Sequence, residues 1–179
     1  MTLNDIIVSA LAQLDRAHDA ATVETYRRRM TQYANDAQDD LAWSLALTRT
    51  EGVVPVGGEI DLSSLARPCT RVEKIEQMGH SVPFRAGETP NRVLVPYSSS
   101  AEVTYRFMPA RLEHTDDVSE LNEALHPLIV SYVVARERMG GDVATQGGGN
   151  IYLSMYNAAK ARLRGYLTSG DAFRITGRY

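Results

Sequence analysis

What this chain lacks narrows its function before anything it contains. It has one cysteine in 179 residues, Cys69, which cannot build an intramolecular disulfide framework and suits a reducing compartment. The longest apolar run, Leu128 to Ala135, is broken by Ser131 and bounded by Pro127 and Arg136. It falls far short of the roughly 20 residues that a membrane-spanning helix needs. Asp5 follows Asn4 where a secretory leader would carry basic residues, so no signal peptide is expected. An excess of one charge is missing as well: 19 Lys and Arg against 22 Asp and Glu leave a formal net charge of -3. Without a basic field, nonspecific DNA binding is not expected as the main activity.

Catalytic signatures are equally scarce. His18, His80, His114 and His126 are dispersed, Cys69 has no sequence neighbour that would activate it, and no Gly-x-Ser-x-Gly elbow occurs. Gly147-Gly148-Gly149 precedes a helical stretch, but no strand comes before it and no Lys-Ser/Thr pair follows. Neither a P-loop nor a dinucleotide fingerprint is therefore present, and the glycines read as a flexible interhelical linker. Glu123 and His126 have the Glu-x-x-His spacing of carboxylate-bridged metal pairs in bundles, yet no second copy of the motif exists. Asp116-Asp117 and Asp39-Asp40 read as a cap and a solvated face. No enzyme activity, cofactor or metal is expected.

What is present is a core and a change of period. At 44% hydrophobic the chain has enough apolar side chains to bury one domain's core. Thr2 and Asp5 form a capping box ahead of Ile6, Ile7, Ala10, Leu11 and Leu14, which share one helical face. From Thr22, Tyr26, Met30, Tyr33, Ala34, Ala37 and Leu41 recur at helical spacing, with Trp43 near the exit. The period then changes. Arg71–Glu76, Arg92–Val95 and Glu102–Phe107 alternate and are rich in β-branched residues, and Gly57-Gly58, Arg67-Pro68, Gly79, Gly87, Pro90 and Ser98–Ser100 punctuate them. Four to six short strands are expected there.

Helix returns after Pro109. Asp117 and Glu120 have capping-box spacing, and Val118, Leu121, Leu125, Leu128, Ile129 and Tyr132 make a stripe, with a kink or break expected near Ala124 to His126 because of Pro127. Asn150 is expected to cap a last helix whose buried stripe is Ile151, Met155, Ala159, Leu163 and Tyr166. The fold class is therefore mainly α with a β insertion, α+β: a bundle of about four helices with a small β-sandwich or barrel-like module between the second and third. The helical part is 1–44 with 110–170, the β module is 45–109, and 171–179 is a C-terminal tail.

Two features point to assembly. Arg27, Arg28 and Arg29 crowd the first half of the second helix while Asp36, Asp39 and Asp40 crowd its second half, opposing the helix dipole. The basic end of one copy is expected to face the acidic end of a neighbour, as inter-subunit contacts in a head-to-tail ring. The tail alternates apolar Phe173, Ile175 and Tyr179 with Arg174 and Arg178, and is expected to order on a partner, as an added strand for example.

These parts in this order resemble the head-to-tail adaptor proteins of tailed bacteriophages, also called connector, head-completion or neck proteins. The likeness spans most of the chain. It runs through the helix pair ending near Trp43, the insertion closing in Val103-Thr104-Tyr105-Arg106-Phe107-Met108-Pro109, the return through Asp117, Leu121, Leu125 and His126-Pro127, the Tyr132 helix, and the closing helix with Tyr152, Tyr156 and Leu163. The resemblance implies a structural virion protein, assembled in the host cytoplasm as a ring, commonly a dodecamer, between the portal protein and the tail or its stopper. Double-stranded DNA would pass through the lumen without specific binding. Phe173, Arg174, Ile175, Arg178 and Tyr179 would by position engage the portal. Two alternatives stand beside it. A helix-turn-helix regulator would use Lys160, Arg162 and Arg164, and a small hydrolase would have to gather distant carboxylates or histidines.

Overall fold

The computed structural model describes the backbone of residues 1–140 and 143–168, and side chains for 1–140 and 151–163. It has the α+β architecture expected, with four α-helices among the described residues and a strand module between the second and third. Contacts divide the chain into two compact units: Met1–Leu45 together with the chain from Pro109 onward, and Ala46–Met108.

In the helical unit, α1 (Leu3–Gln13) starts on the capping box, with Asp5 N donating to Thr2 Oγ1 at 3.1 Å and Thr2 N donating to Asp5 Oδ2 at 2.9 Å. Two further N–H groups of its first turn find backbone acceptors, Leu3 N on Asp117 O at 2.8 Å and Asn4 N on Thr115 O at 2.9 Å. Leu3, Ile6, Ile7, Ala10 and Leu11 are buried. Helix α2 (Ala20–Leu45) begins two residues before Thr22, because Asp19 Oδ1 accepts from the amides of Ala21 and Thr22.

The third helix corrects the sequence reading. Residues 109–122 form no helix from Asp117; they run through bends and a bridge of Thr2 to Val118, and a short 3-10 turn, Glu123–Leu125, leads into α3 (His126–Met139). The carboxylates expected to make a capping box are used elsewhere. Asp117 Oδ2 accepts from the amides of Glu113 and His114, which hold its carboxyl below the usual range, and Glu120 Oε2 accepts from Ala110 N. Pro127 then falls in the first turn of α3, where its missing N–H costs nothing, and the break expected near Ala124 to His126 is the passage from the 3-10 turn into α3.

Helix α4 (Val143–Thr168) corrects it again. It runs through Gly147–Gly149 and begins before Asn150. Packing of α4 along α3 outweighs the poor helix propensity of the glycines. Its buried face is also rotated from the expected stripe. Tyr156 is buried, whereas Ile151 and Met155 are 63% and 62% exposed. Tyr156 packs edge-on to Tyr132 with ring centroids 5.2 Å apart, and this contact selects the face.

In the second unit, seven strands form two antiparallel sheets among the described residues, more than the four to six expected. Strands β1 (Thr48–Val53), β7 (Ala101–Phe107), β3 (Cys69–Gln77) and β4 (His80–Ser81) lie side by side in that order. Strands β2 (Glu59–Asp61), β6 (Arg92–Leu94) and β5 (Arg85–Ala86) make the other sheet. Ile60 and Val93 from one sheet and Ile75, Val103 and Tyr105 from the other share a core, so the module is sandwich-like. Burial pushes the Tyr105 hydroxyl up to about 12, and it donates to Glu51 Oε1 at 2.5 Å.

The loop between the units' last strand and α3 depends on Asn35 of α2. Its Nδ2 donates to Leu112 O at 2.9 Å and its Oδ1 accepts from Leu112 N at 2.8 Å, all buried. Asn35→Ala leaves a buried donor and a buried acceptor unanswered. We expect a loss of about 2 to 4 kcal/mol in urea unfolding; a loss below about 0.5 kcal/mol would show that water answers both groups instead.

Candidate interaction surfaces

The charges of α2 are mostly answered within the helical unit. Arg27 Nε lies 2.9 Å from Glu24 Oε2, one turn earlier. Arg29 and Arg16 both reach Glu137 Oε1, at 2.6 and 2.9 Å, and the Glu137 side chain is only 5% exposed. Their guanidinium carbons also stand 5.2 and 4.6 Å from the centre of the Tyr26 ring. Two cations, themselves held over one aromatic face, therefore offset the desolvation of a single buried carboxylate.

At the other end of the helix, Asp40 Oδ2 accepts from the Tyr156 hydroxyl at 2.5 Å and from Lys160 Nζ at 2.6 Å. The four-residue spacing of Tyr156 and Lys160 on α4 puts both groups on one face, so a single carboxylate clasps two successive turns. Burial first, then this hydrogen bond, drives the Tyr156 hydroxyl far above its ordinary pKa. Asp39 pairs with Arg111 at 3.3 Å, and its carboxyl is raised by burial against that cation's opposing pull.

Of the six residues expected between subunits, four thus have partners in their own chain: Arg27, Arg29, Asp39 and Asp40. Arg28 and Asp36 have no ion-pair partner among the described residues. The five tail residues, Phe173, Arg174, Ile175, Arg178 and Tyr179, lie outside the described residues.

His126 accepts from the Met1 amino group at Nδ1, 3.0 Å, and has Leu121 O 3.0 Å from Nε2, so both ring nitrogens are occupied. No group of three His, Cys, Asp or Glu that could hold a metal ion occurs among the described residues. Cys69 is half-buried and its thiol is pushed up by burial, which keeps it protonated and weakly nucleophilic. Lys160 is taken by Asp40, Arg162 is exposed, and the side chain of Arg164 lies outside the described ones.

Sequence reading missed Glu137 and the clasp on Asp40. Signals existed for both. Glu137 is the one acid between Arg136 and Arg138 in the basic last turn of α3, and Tyr156 and Lys160 stand one helical turn apart. No protein-family model matches the chain, and no curated protein matches it. No helix among the described residues is long and apolar enough to cross a membrane.

Removing both cations from Glu137 isolates a carboxylate in the interior. Arg16→Ala with Arg29→Ala is expected to destabilise the helical unit by about 3 to 5 kcal/mol, more than the two single changes summed. Urea unfolding of the double-mutant cycle measures it, and strict additivity would contradict the shared-carboxylate arrangement.

Proposed function

We propose that the protein is a structural adaptor of a tailed-bacteriophage virion, forming a ring between the portal and the tail or its stopper and continuing the DNA channel. The observation that carries this reading is the residual polarity of α2. Most of its charges are consumed inside the unit, yet Arg28 in its basic half and Asp36 in its acidic half have no ion-pair partner among the described residues, as a head-to-tail contact between like copies requires. The likeness in layout to the adaptor family supports the same conclusion. A formal net charge of -3 suits a lumen through which DNA slides without sticking. The regulator reading loses its best basic residue, because Lys160 is bound to Asp40.

In this reading the tail residues Phe173, Arg174, Ile175, Arg178 and Tyr179 grip the portal, and Arg28 faces Asp36 of the next copy. Co-sedimentation with the portal ring of the same virus tests both points. Truncation after Gly170 should leave the fold intact and weaken portal binding by about tenfold or more. Arg28→Glu should reduce the number of copies retained per portal, and Asp36→Lys added in the same chain should restore it. Full portal binding by both variants would contradict the proposal.

A further inference from the structure

Three stretches of the β module contain no Asp, Glu, Lys or Arg: residues 53–58, 77–84 and 95–101. Strand register gathers them at one end. Val53 of β1 and Gln77 of β3 both pair with Ala101, the first residue of β7. Gln77 Nε2 donates to the carbonyls of Tyr97 and Ser99 at 2.8 and 3.0 Å, tying the 95–101 loop to the same place. In the other sheet, Leu94 stands opposite both Glu59 and Arg85, and Val95 N donates to Gly58 O at 2.8 Å. The start of β2, the end of β6 and Phe84 therefore meet there too.

Five of the nine large apolar side chains exposed among the described residues sit on this tip. Val54, Val56, Met78 and Tyr97 are 72%, 82%, 73% and 52% exposed, and Phe84 is 37% exposed. Composition alone does not explain this, because the rest of the module is rich in charge, with ion pairs such as Arg49–Glu51, Lys74–Glu76 and Arg92–Glu59. An uncharged apolar patch on a charged module marks a surface that meets another apolar surface.

Its shape is a knob beside a cleft. Val56 and Glu59 exchange backbone hydrogen bonds at 2.8 and 3.1 Å across Gly57 and Gly58, whose φ values of +63° and +81° make a tight two-residue turn. This turn holds Val54 and Val56 outward. Next to it lies a cleft of about 380 Å3 walled by Gly58, Pro83, Phe84, Leu94 and Pro96, with exposed Arg85 as its one charge.

The charges around knob and cleft match. Arg85 has no ion-pair partner among the described residues. Glu59, at the foot of the knob, uses Oε2 on Arg92 at 2.9 Å and keeps Oε1 available. Arg92 is held by Glu59, so a polyanion or an acidic lipid surface would find Arg85 as the one cation here without an ion-pair partner among the described residues, too little to bind it.

We propose that this tip is a self-docking surface. Val54 and Val56 of one copy enter the Phe84 cleft of a second copy, with Glu59 of the first facing Arg85 of the second. Knob and cleft are different patches of the same chain, so the contact is heterologous and propagates head to tail. The inference rests on the ring reading above and adds the β module to the subunit contact.

The test uses the purified full chain, alone and on the portal ring. A photo-reactive benzoylphenylalanine at position 56, followed by peptide mapping of an isotope-mixed sample, should cross-link to residues 83–96 of another copy. Val54→Asp with Val56→Asp should leave the thermal unfolding midpoint unchanged, since both side chains are exposed, and weaken self-association by about tenfold or more. Cross-links from position 56 only to portal or to another protein would overturn self-docking. So would unimpaired assembly of the double variant. If those results came with full stoichiometric loading of the portal, the adaptor reading would stand while the tip proposal fell. A chain that neither self-associates nor loads the portal would remove both.

Discussion

A non-helical segment can cross a helical unit only if its backbone amides and carbonyls are answered by something other than its own hydrogen bonds. Residues 109–122 impose that condition here. Asn35 takes both backbone groups of Leu112, Gln38 takes the Ser119 hydroxyl at 2.7 Å, and the carbonyls of Thr115 and Asp117 receive the first amides of α1. One segment therefore supplies the start of α1, fixes the polar face of α2 and delivers the chain to Pro127 in the geometry that begins α3. The buried amides of Asn35 and Gln38, at 7% and 1% exposure, make sense only in this setting.

The same logic governs charge. A helix with arginines in its first half and aspartates in its second is unfavourable by its own dipole, but each group that finds a partner off the helix ceases to oppose it. Glu137 gathers Arg16 and Arg29, and Asp40 gathers Tyr156 and Lys160. The two clusters join α2 to α3 and to α4 at opposite halves of one long helix. Arg28 and Asp36 have no ion-pair partner among the described residues, and the proposed ring contact is built on them.

Much of the fold was legible in the sequence, where local chemistry decided the outcome. The capping box at Thr2 and Asp5, the stripe of α1 and the strands around Arg71–Glu76, Arg92–Val95 and Glu102–Phe107 lie where residue pattern placed them, because each needs only its neighbours. The errors arose where distant residues decided. Asp117 and Glu120 look like a capping box but answer amides at 113, 114 and 110. Glycines 147–149 look like a linker but lie within α4, and Ile151 and Met155 face outward because Tyr156 and Lys160 are held by Asp40. The apolar tip of the β module was invisible for the same reason, since only strand register brings residues 53–58, 77–84 and 95–101 together.

In the proposed adaptor, the surfaces left for other chains are Arg28 and Asp36 of α2, which have no ion-pair partner among the described residues, and the uncharged tip of the β module. Native mass of the purified chain, alone and mixed with a candidate portal ring, tests the proposed adaptor role most directly. The account predicts a monomer or loose oligomer that joins the portal as a closed ring of fixed stoichiometry. A monomer that ignores the portal and instead binds duplex DNA with steep salt dependence would contradict it.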